Sequence, residues 1–294
     1  MNKEMLNKIK NGKGFIAALD QSGGSTPKAL LNYGINEDAY KTEEEMFDLI
    51  HEMRSRIVKS KSFTGDKIVG AILFERTMNS EIDGKMTADF LWEKKQVVPF
   101  LKIDNGLAEK AEGVKPMKEI INFDARLKDA VEKNIFGTKM RSVIDEYNEE
   151  GIKKIVAQQF EFAKKIASYG LVPIIEPEIT ITMQNKAKAE DFLLKCMKEE
   201  MKNWGDAPVM FKLTLPEVDN LYLPLTEFPA TVRLVALSGG YSREVANEKL
   251  SQNSKMSASF SRALTEGLNA QMTDDEFDKM LAESINSIYE ASIK

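Results

Sequence analysis

Eight short apolar runs recur along this chain, at 15–20, 67–75, 97–104, 137–144, 171–179, 209–215, 230–237 and 256–262. No other feature of the sequence limits its fold as much. Runs of this length, bounded by Gly, Pro, Asn and Asp, read as buried strands. Most of the intervals carry helical patterning. The stripe Met46, Ile50, Met53 and Ile57 predicts a helix over 43–59, and Ile152, Ile155, Val156, Gln159, Phe160, Ala163, Ile166 and Ala167 predict another that stops before Gly170. A third spans about 187–203, and Ser242 opens a fourth with Glu244 in its first turn. The last has a capping box, Thr273 with Glu276, ahead of Phe277, Met280, Leu281, Ile285 and Ile288.

Strands joined by crossover helices pair in parallel. An open doubly wound sheet calls for Gly-x-Gly-x-x-Gly after a strand, which the chain lacks. The expected fold is therefore α/β, a (β/α)8 TIM barrel, with residues 1–294 as one domain and no Pro- or Ser-rich linker dividing them. Three intervals fit the alternation less regularly. These are the start of the barrel, 105–136, which is charge-rich and partly helical, and 214–229, a long extension; the piece after the second run reads as helical and closes at Leu91 and Trp92. Pro99 marks an irregular start to the third strand.

The strands carry charges where a packed barrel interior has little room for them. Asp20, Lys139, Arg141, Glu176, Lys212 and Arg262 stand on or at the ends of separate runs. Period-two spacing puts Lys139 with Arg141, and Glu176 with Glu178, on common faces. Lys212, inside Val-Met-Phe-Lys-Leu-Thr-Leu, either snorkels to water, pairs with a carboxylate for stability, or serves as an imine-forming amine. Taken as inward groups, they divide the labour of carbonyl chemistry. Lys212 near cations such as Lys139 is the amine, Glu176 exchanges protons with it, and Asp20 accepts a hydroxyl proton. Ser238, Gly239 and Gly240 after the seventh strand, with Arg262 after the eighth, fit the recurrent phosphate site of such barrels. Ser22 and Ser25, in Gln-Ser-Gly-Gly-Ser-Thr-Pro at a helix start, form a second anion site.

Composition removes other chemistries. A net charge of -5, from 41 basic and 46 acidic residues, leaves no general footprint for nucleic acid or membrane. The first ten residues lack an apolar signal core and no run reaches membrane-spanning length, so a cytoplasmic protein is expected. Cys196 is the only cysteine and reads as packing on a helix, and His51 is the only histidine and reads as a helix-surface residue. Catalytic triads and histidine-based zinc sites are thereby poor candidates, and neither cofactor nor metal is expected.

The segments Ala-Ala-Leu-Asp-Gln-Ser-Gly-Gly-Ser (17–25), Ile-Leu-Phe-Glu-Arg-Thr (72–77), Lys-Met-Arg (139–141), Pro-Ile-Ile-Glu-Pro-Glu (173–178), Phe-Lys (211–212), Leu-Ser-Gly-Gly (237–240) and Ser-Phe-Ser-Arg (259–262) together resemble a class I, Schiff-base-forming, fructose-1,6-bisphosphate aldolase of the short bacterial kind. They span nearly the whole chain in order. The resemblance implies that Lys212 forms the imine with a ketose phosphate, that Glu176 transfers protons, and that Asp20 deprotonates the C4 hydroxyl. It implies that Lys139 and Arg141 line the pocket, that Ser238, Gly239 and Arg262 hold the C1 phosphate, and that Ser22 and Ser25 lie toward the C6 phosphate. Homo-oligomers are common in that family. The chain departs from the animal enzymes at Gln21, where they carry an acid, at Asn105, where they carry a lysine, and at Ser261, where they carry glycine. It ends at Lys294 without their terminal tyrosine. Schiff-base aldolases of other phosphorylated sugars, or a silent sugar-phosphate sensor, share the same outline.

Overall fold

The computed structural model of the chain describes residues 2–294. Each apolar run becomes a strand, paired in parallel with the next: β1 (Phe15–Leu19), β2 (Ile68–Leu73), β3 (Val98–Lys102), β4 (Gly137–Ile144), β5 (Val172–Ile179), β6 (Val209–Thr214), β7 (Thr231–Leu237) and β8 (Met256–Ala258). No regular ladder joins β8 to β1. The seam is held instead by the Ala18 N–H donating to the Phe260 carbonyl at 3.2 Å. The result is the expected eight-stranded TIM barrel. Around it lie α2 (Thr26–Asn32), α3 (Glu43–Lys59), α4 (Phe123–Glu132), α5 (Glu149–Ser168), α6 (Lys186–Lys202), α7 (Arg243–Ser251) and α8 (Asp274–Ser292), preceded by α1 (Lys3–Asn11). None of these helices is long and apolar enough to cross a membrane.

Strand alternation sorts the apolar residues into two layers. Ile16, Ala18, Ile72, Val98, Phe100, Val172, Ile174, Met210 and Val235 fill the barrel, together with Met5 and Ile9 of α1. The opposite faces, among them Ala17, Ala71, Leu101, Ile175 and Phe211, pack against the surrounding helices. Helix α1 thus stoppers the amino-terminal end. Arg233 latches it there, donating to the Ile9 carbonyl at 2.6 Å, to the Gly12 and Gly14 carbonyls, and to Ser257 Oγ. The opposite, carboxyl-terminal end stays open.

Three expectations need correction. The interval after β2 is not one helical piece. A hairpin, Glu81–Ile82 with Lys85–Met86, interrupts it, and its turn is Asp83–Gly84 with both residues at positive φ, the geometry an Asp-Gly pair favours. The interval 105–136 holds α4 but also an antiparallel ribbon, in which Val114–Lys115 pairs with Ile144 and Val143 beyond a Glu112–Gly113 turn. The eighth strand ends at Ala258, and Arg262 opens a short helix, Arg262–Thr265, instead of standing on the strand. Pro99, by contrast, sits within the β2–β3 ladder, opposite Ala71.

Candidate active site

Along β3 to β6 the faces that fill the barrel change from apolar to charged toward the carboxyl ends. Phe100 is followed on its face by Lys102 and then Asp104, Ile174 by Glu176 and Glu178, and Met210 by Lys212. On β4 the corresponding face carries Lys139 and Arg141. Three of these groups meet at one point with Asp20, which follows β1. Lys139 Nζ lies 2.6 Å from Asp20 Oδ2 and 3.0 Å from Glu176 Oε2, while Lys212 Nζ lies 3.1 Å from Glu176 Oε1. Asp20 is 9% exposed, Lys139 4%, Glu176 3% and Lys212 4%. The two lysines therefore share one carboxylate, an oxygen each.

Lys139 and Asp20 hold each other ionised. Burial opposes an ammonium on Lys139, but Asp20, Glu176 and Asp104 outweigh it and raise its pKa above the ordinary lysine value. Burial likewise opposes ionisation of Asp20. The ammonium groups of Lys139, Lys212 and Lys102 overcome that and hold the carboxyl below the usual carboxylate range. Lys139 is thus pinned as a cation by carboxylates on two sides. Lys212 has a single charged contact, Glu176.

The strands open where these residues face each other. The β5–β6 ladder pairs Ile174 with Met210 and Ile175 with Phe211 and then stops. The Glu176 amide is taken instead by Gln159 Oε1 of α5 at 2.9 Å, and Gln159 Nε2 donates to Ser142 Oγ on β4. Pro177 has no amide to offer, and beyond it Thr214 Oγ1 accepts from the Ile179 amide at 2.8 Å. A fully buried glutamine in an apolar helix stripe is explained by this bond. Arg141 and Glu178 form a shallower pair at 3.0 Å, where burial, and next the repulsion of Glu176, push the Glu178 carboxyl up against the pull of Arg141.

At the rim, Ser238 is buried and Gly239 and Gly240 have φ of 61° and 121°. A methyl group on Gly239 would stand 2.7 Å from Ile181 Cγ2, and one on Gly240 would stand 3.6 Å from Arg262 Nη2. The exposed Arg262 guanidinium therefore overhangs this glycine turn, and the two anion-binding elements expected after β7 and β8 come together. The serines after β1 behave differently. The Ser22 amide donates to Ser25 Oγ, which in turn donates to the Ser22 carbonyl, each at 2.9 Å. The Ser25 hydroxyl is turned back on its own loop and is not open as the sequence suggested.

Several members of the site were not anticipated. Lys102 donates to Asp104 Oδ1 at 2.6 Å, and Asp104 Oδ2 accepts from the Arg141 amide at 3.2 Å. Period-two spacing along β3 would have found both. Arg54, fully buried on α3, carries no such signal, because one step along a helix from Met53 looks like surface. His51 is half-buried on the same helix, its Nε2 3.3 Å from the Glu81 carbonyl, and Cys196 packs half-buried against the core. Among the described residues no three His, Cys, Asp or Glu side chains gather as metal ligands.

Comparison with known proteins adds an independent line. The family described as glycolytic fructose-bisphosphate aldolase class-I matches residues 2–219. The fructose-bisphosphate aldolase class 1 of Porphyromonas gingivalis is 56% identical over 294 residues, covering 100% of both chains. Among solved structures, a fructose-bisphosphate aldolase from Plasmodium falciparum has a TM-score of 0.81 at 20% identity, covering 98% of this chain and 94% of its own. One from Slackia heliotrinireducens has a TM-score of 0.56 at 12% identity, covering 98% and 89%. At such identities these two structures speak to the fold alone.

Proposed function

The chain belongs to the class I fructose-bisphosphate aldolase family, and on that premise we propose how its residues divide the reaction. The enzyme is a lyase that cleaves fructose 1,6-bisphosphate reversibly to dihydroxyacetone phosphate and glyceraldehyde 3-phosphate. Lys212 passes a proton to Glu176, and the amine so freed adds to the C2 carbonyl of the ketose. Glu176 gives a proton to the departing carbinolamine hydroxyl, water leaves, and a protonated imine remains. Asp20 then takes the C4 hydroxyl proton, the C3–C4 bond breaks, and its electron pair moves into the imine to give an enamine as the aldehyde leaves. Protonation at C3 and hydrolysis of the imine, with Glu176 now acting as base, restore Lys212. Lys139 stays charged between Asp20 and Glu176 and stabilises the alkoxide that forms beside it. Arg141 borders the open side. Ser238, Gly239, Gly240 and Arg262 take the C1 phosphate, and the backbone around Ser22 and Ser25 faces the C6 phosphate.

The observation that carries this reading is the sharing of Glu176 between Lys212 and Lys139, with Asp20 on the far side of Lys139. One carboxylate within reach of the imine nitrogen and a second about one lysine away suits two proton transfers at C2 and C4, on either side of the carbon that becomes the enamine. A net charge of -5 supports a small-molecule substrate in place of nucleic acid or an anionic membrane, and a cytoplasmic setting with one domain over residues 1–294 belongs to the same reading. A homo-oligomer accords with the family. Borohydride reduction in the presence of dihydroxyacetone phosphate and a chelator is expected to fix the ketose covalently on Lys212, and Lys212→Ala is expected to lose both adduct and cleavage. Full cleavage by Lys212→Ala, or wild-type activity abolished by chelation, would overturn the assignment.

A further inference from the structure

Arg54 takes no part in the reaction described above, yet the residue is only 1% exposed. A cation that deep in a protein is a weak source of stability and calls for another explanation. Its Nη1 donates to Thr77 Oγ1 at 2.8 Å, and its Nη2 donates to the Gln21 carbonyl and lies 3.3 Å from Gln21 Oε1. Its Nε is buried without a partner. Gln21 passes the connection on, donating from Nε2 to Ser261 Oγ at 2.8 Å. Thr77 follows β2, Gln21 follows Asp20 at the end of β1, and Ser261 precedes Arg262 beyond β8. A continuous run of hydrogen bonds thus crosses three adjoining loops at the open end of the barrel. It spans the β8–β1 seam, where the regular ladder is missing.

We infer that Arg54 is a positioning residue. Through the Gln21 backbone it fixes Asp20 against Lys139, and through the Gln21–Ser261 bond it sets the distance between the β1 loop and Arg262. The inference rests on the roles given above to Asp20 and to the two phosphate-binding loops. Its physical basis is that Gln21 is the residue next to Asp20 and is held at both its carbonyl and its side chain. Fixing these atoms removes two freedoms at once, the direction of the Asp20 carboxylate and the opening of the seam. Burial pulls the Arg54 guanidinium down to about 10, with Asp20 opposing that fall, so it remains a cation at neutral pH and faces the catalytic carboxylate as one. A sugar phosphorylated at both ends must touch both loops, whereas a singly phosphorylated ketose needs only the Arg262 side. The strap is therefore a determinant of bisphosphate preference as well as of Asp20 geometry.

The test uses Arg54→Lys, Gln21→Ala and Ser261→Ala in the full chain, each first compared with wild type by thermal unfolding. For Arg54→Lys, which keeps the charge and loses the fork, cleavage turnover should fall by about tenfold or more, while borohydride trapping of dihydroxyacetone phosphate on Lys212 stays at the wild-type yield. For Gln21→Ala and Ser261→Ala, KM for fructose 1,6-bisphosphate should rise about fivefold, the worth of one hydrogen bond, with KM for fructose 1-phosphate unchanged. Trapping and cleavage falling together in Arg54→Lys, wild-type turnover in that variant, or equal KM changes for both sugars would overturn the inference. If Arg54→Lys does not fold, the KM comparison in the other two variants decides. Wild-type protein that traps no ketose would remove the aldolase assignment and this inference with it, whereas normal wild-type trapping with unaltered variants removes only the inference.

Discussion

Glu176 and Glu178 stand two residues apart on the same face of β5 but in different company. Glu176 meets both buried ammonium groups, and Glu178 meets only the Arg141 guanidinium at the rim. Proton exchange with the imine nitrogen belongs to the first. Glu176→Gln should lower turnover by on the order of 10²-fold or more while substrate still binds, with the carbinolamine or imine step visible in single-turnover traces. Glu178→Gln should have the smaller effect, and the reverse order would reassign the carboxylate. Asp20 also links pH to stability. Its folded pKa is depressed, so its contribution is fully present above its unfolded value of about 4 and is lost as pH falls from there through the folded value. Denaturant titrations between pH 6 and pH 2 (about the range of that loss) should therefore show a shallower fall in stability for Asp20→Asn than for wild type. Parallel curves would mean that the carboxylate gains nothing from Lys139 on folding.

At the scale of elements, the two ends of the barrel are built for different purposes. The β5–β6 ladder is given up after Ile175 and Phe211, and that gap lets Glu176 and Lys212 face each other. The amino-terminal end is closed by α1 with Met5 and Ile9 in the barrel, and Arg233 holds the loop that follows α1 by its carbonyls. Arg233→Met removes these donors and strands buried carbonyl oxygens, at roughly 1–3 kcal/mol. Urea unfolding should show that loss, and amide exchange in α1 should quicken, with turnover near wild type because the latch lies at the opposite end from Lys212. Slow exchange in α1 of a destabilised variant would show that the helix is held by its apolar face alone. Closure of the sheet is similarly local. A methyl on Gly137 would meet the Val172 carbonyl oxygen at 2.2 Å, so β4 and β5 approach only because that position has no side chain.

For the whole molecule, the inner and outer apolar layers share six of the eight barrel strands, β1, β2, β3, β5, β6 and β7, so neither can melt while the other stays packed. The two tryptophans report on both layers, since Trp92 packs on the barrel filling and Trp204 lies in the outer layer. With residues 1–294 as one domain, tryptophan fluorescence and far-ultraviolet circular dichroism should trace one coincident unfolding transition. Separated midpoints would divide the chain into units and overturn the single-domain proposal. The eight-strand order, the helices over 43–59 and 186–202, and the capping box at Thr273 were all legible as patterns. The Asp83–Gly84 and Glu112–Gly113 turns were missed because the segments around them are too short to show a period of their own.

Periodicity by itself placed Asp20 at a strand end and Lys139, Arg141, Glu176 and Lys212 on strands, because alternation along a strand is a local property that survives without a fold. It could say that these charges point one way. It could not say that Glu176 divides its two oxygens between Lys139 and Lys212, because that depends on the stagger of β4, β5 and β6. Nor could it read Arg54, Gln21 and Ser261 as one strap, since residues 33 and 240 positions apart become neighbours only when β8 returns to β1. Whether the Ser25 hydroxyl is free or folded back on its own backbone is likewise decided by the closed turn. Local sequence set which face each group occupies, and barrel closure set which groups meet.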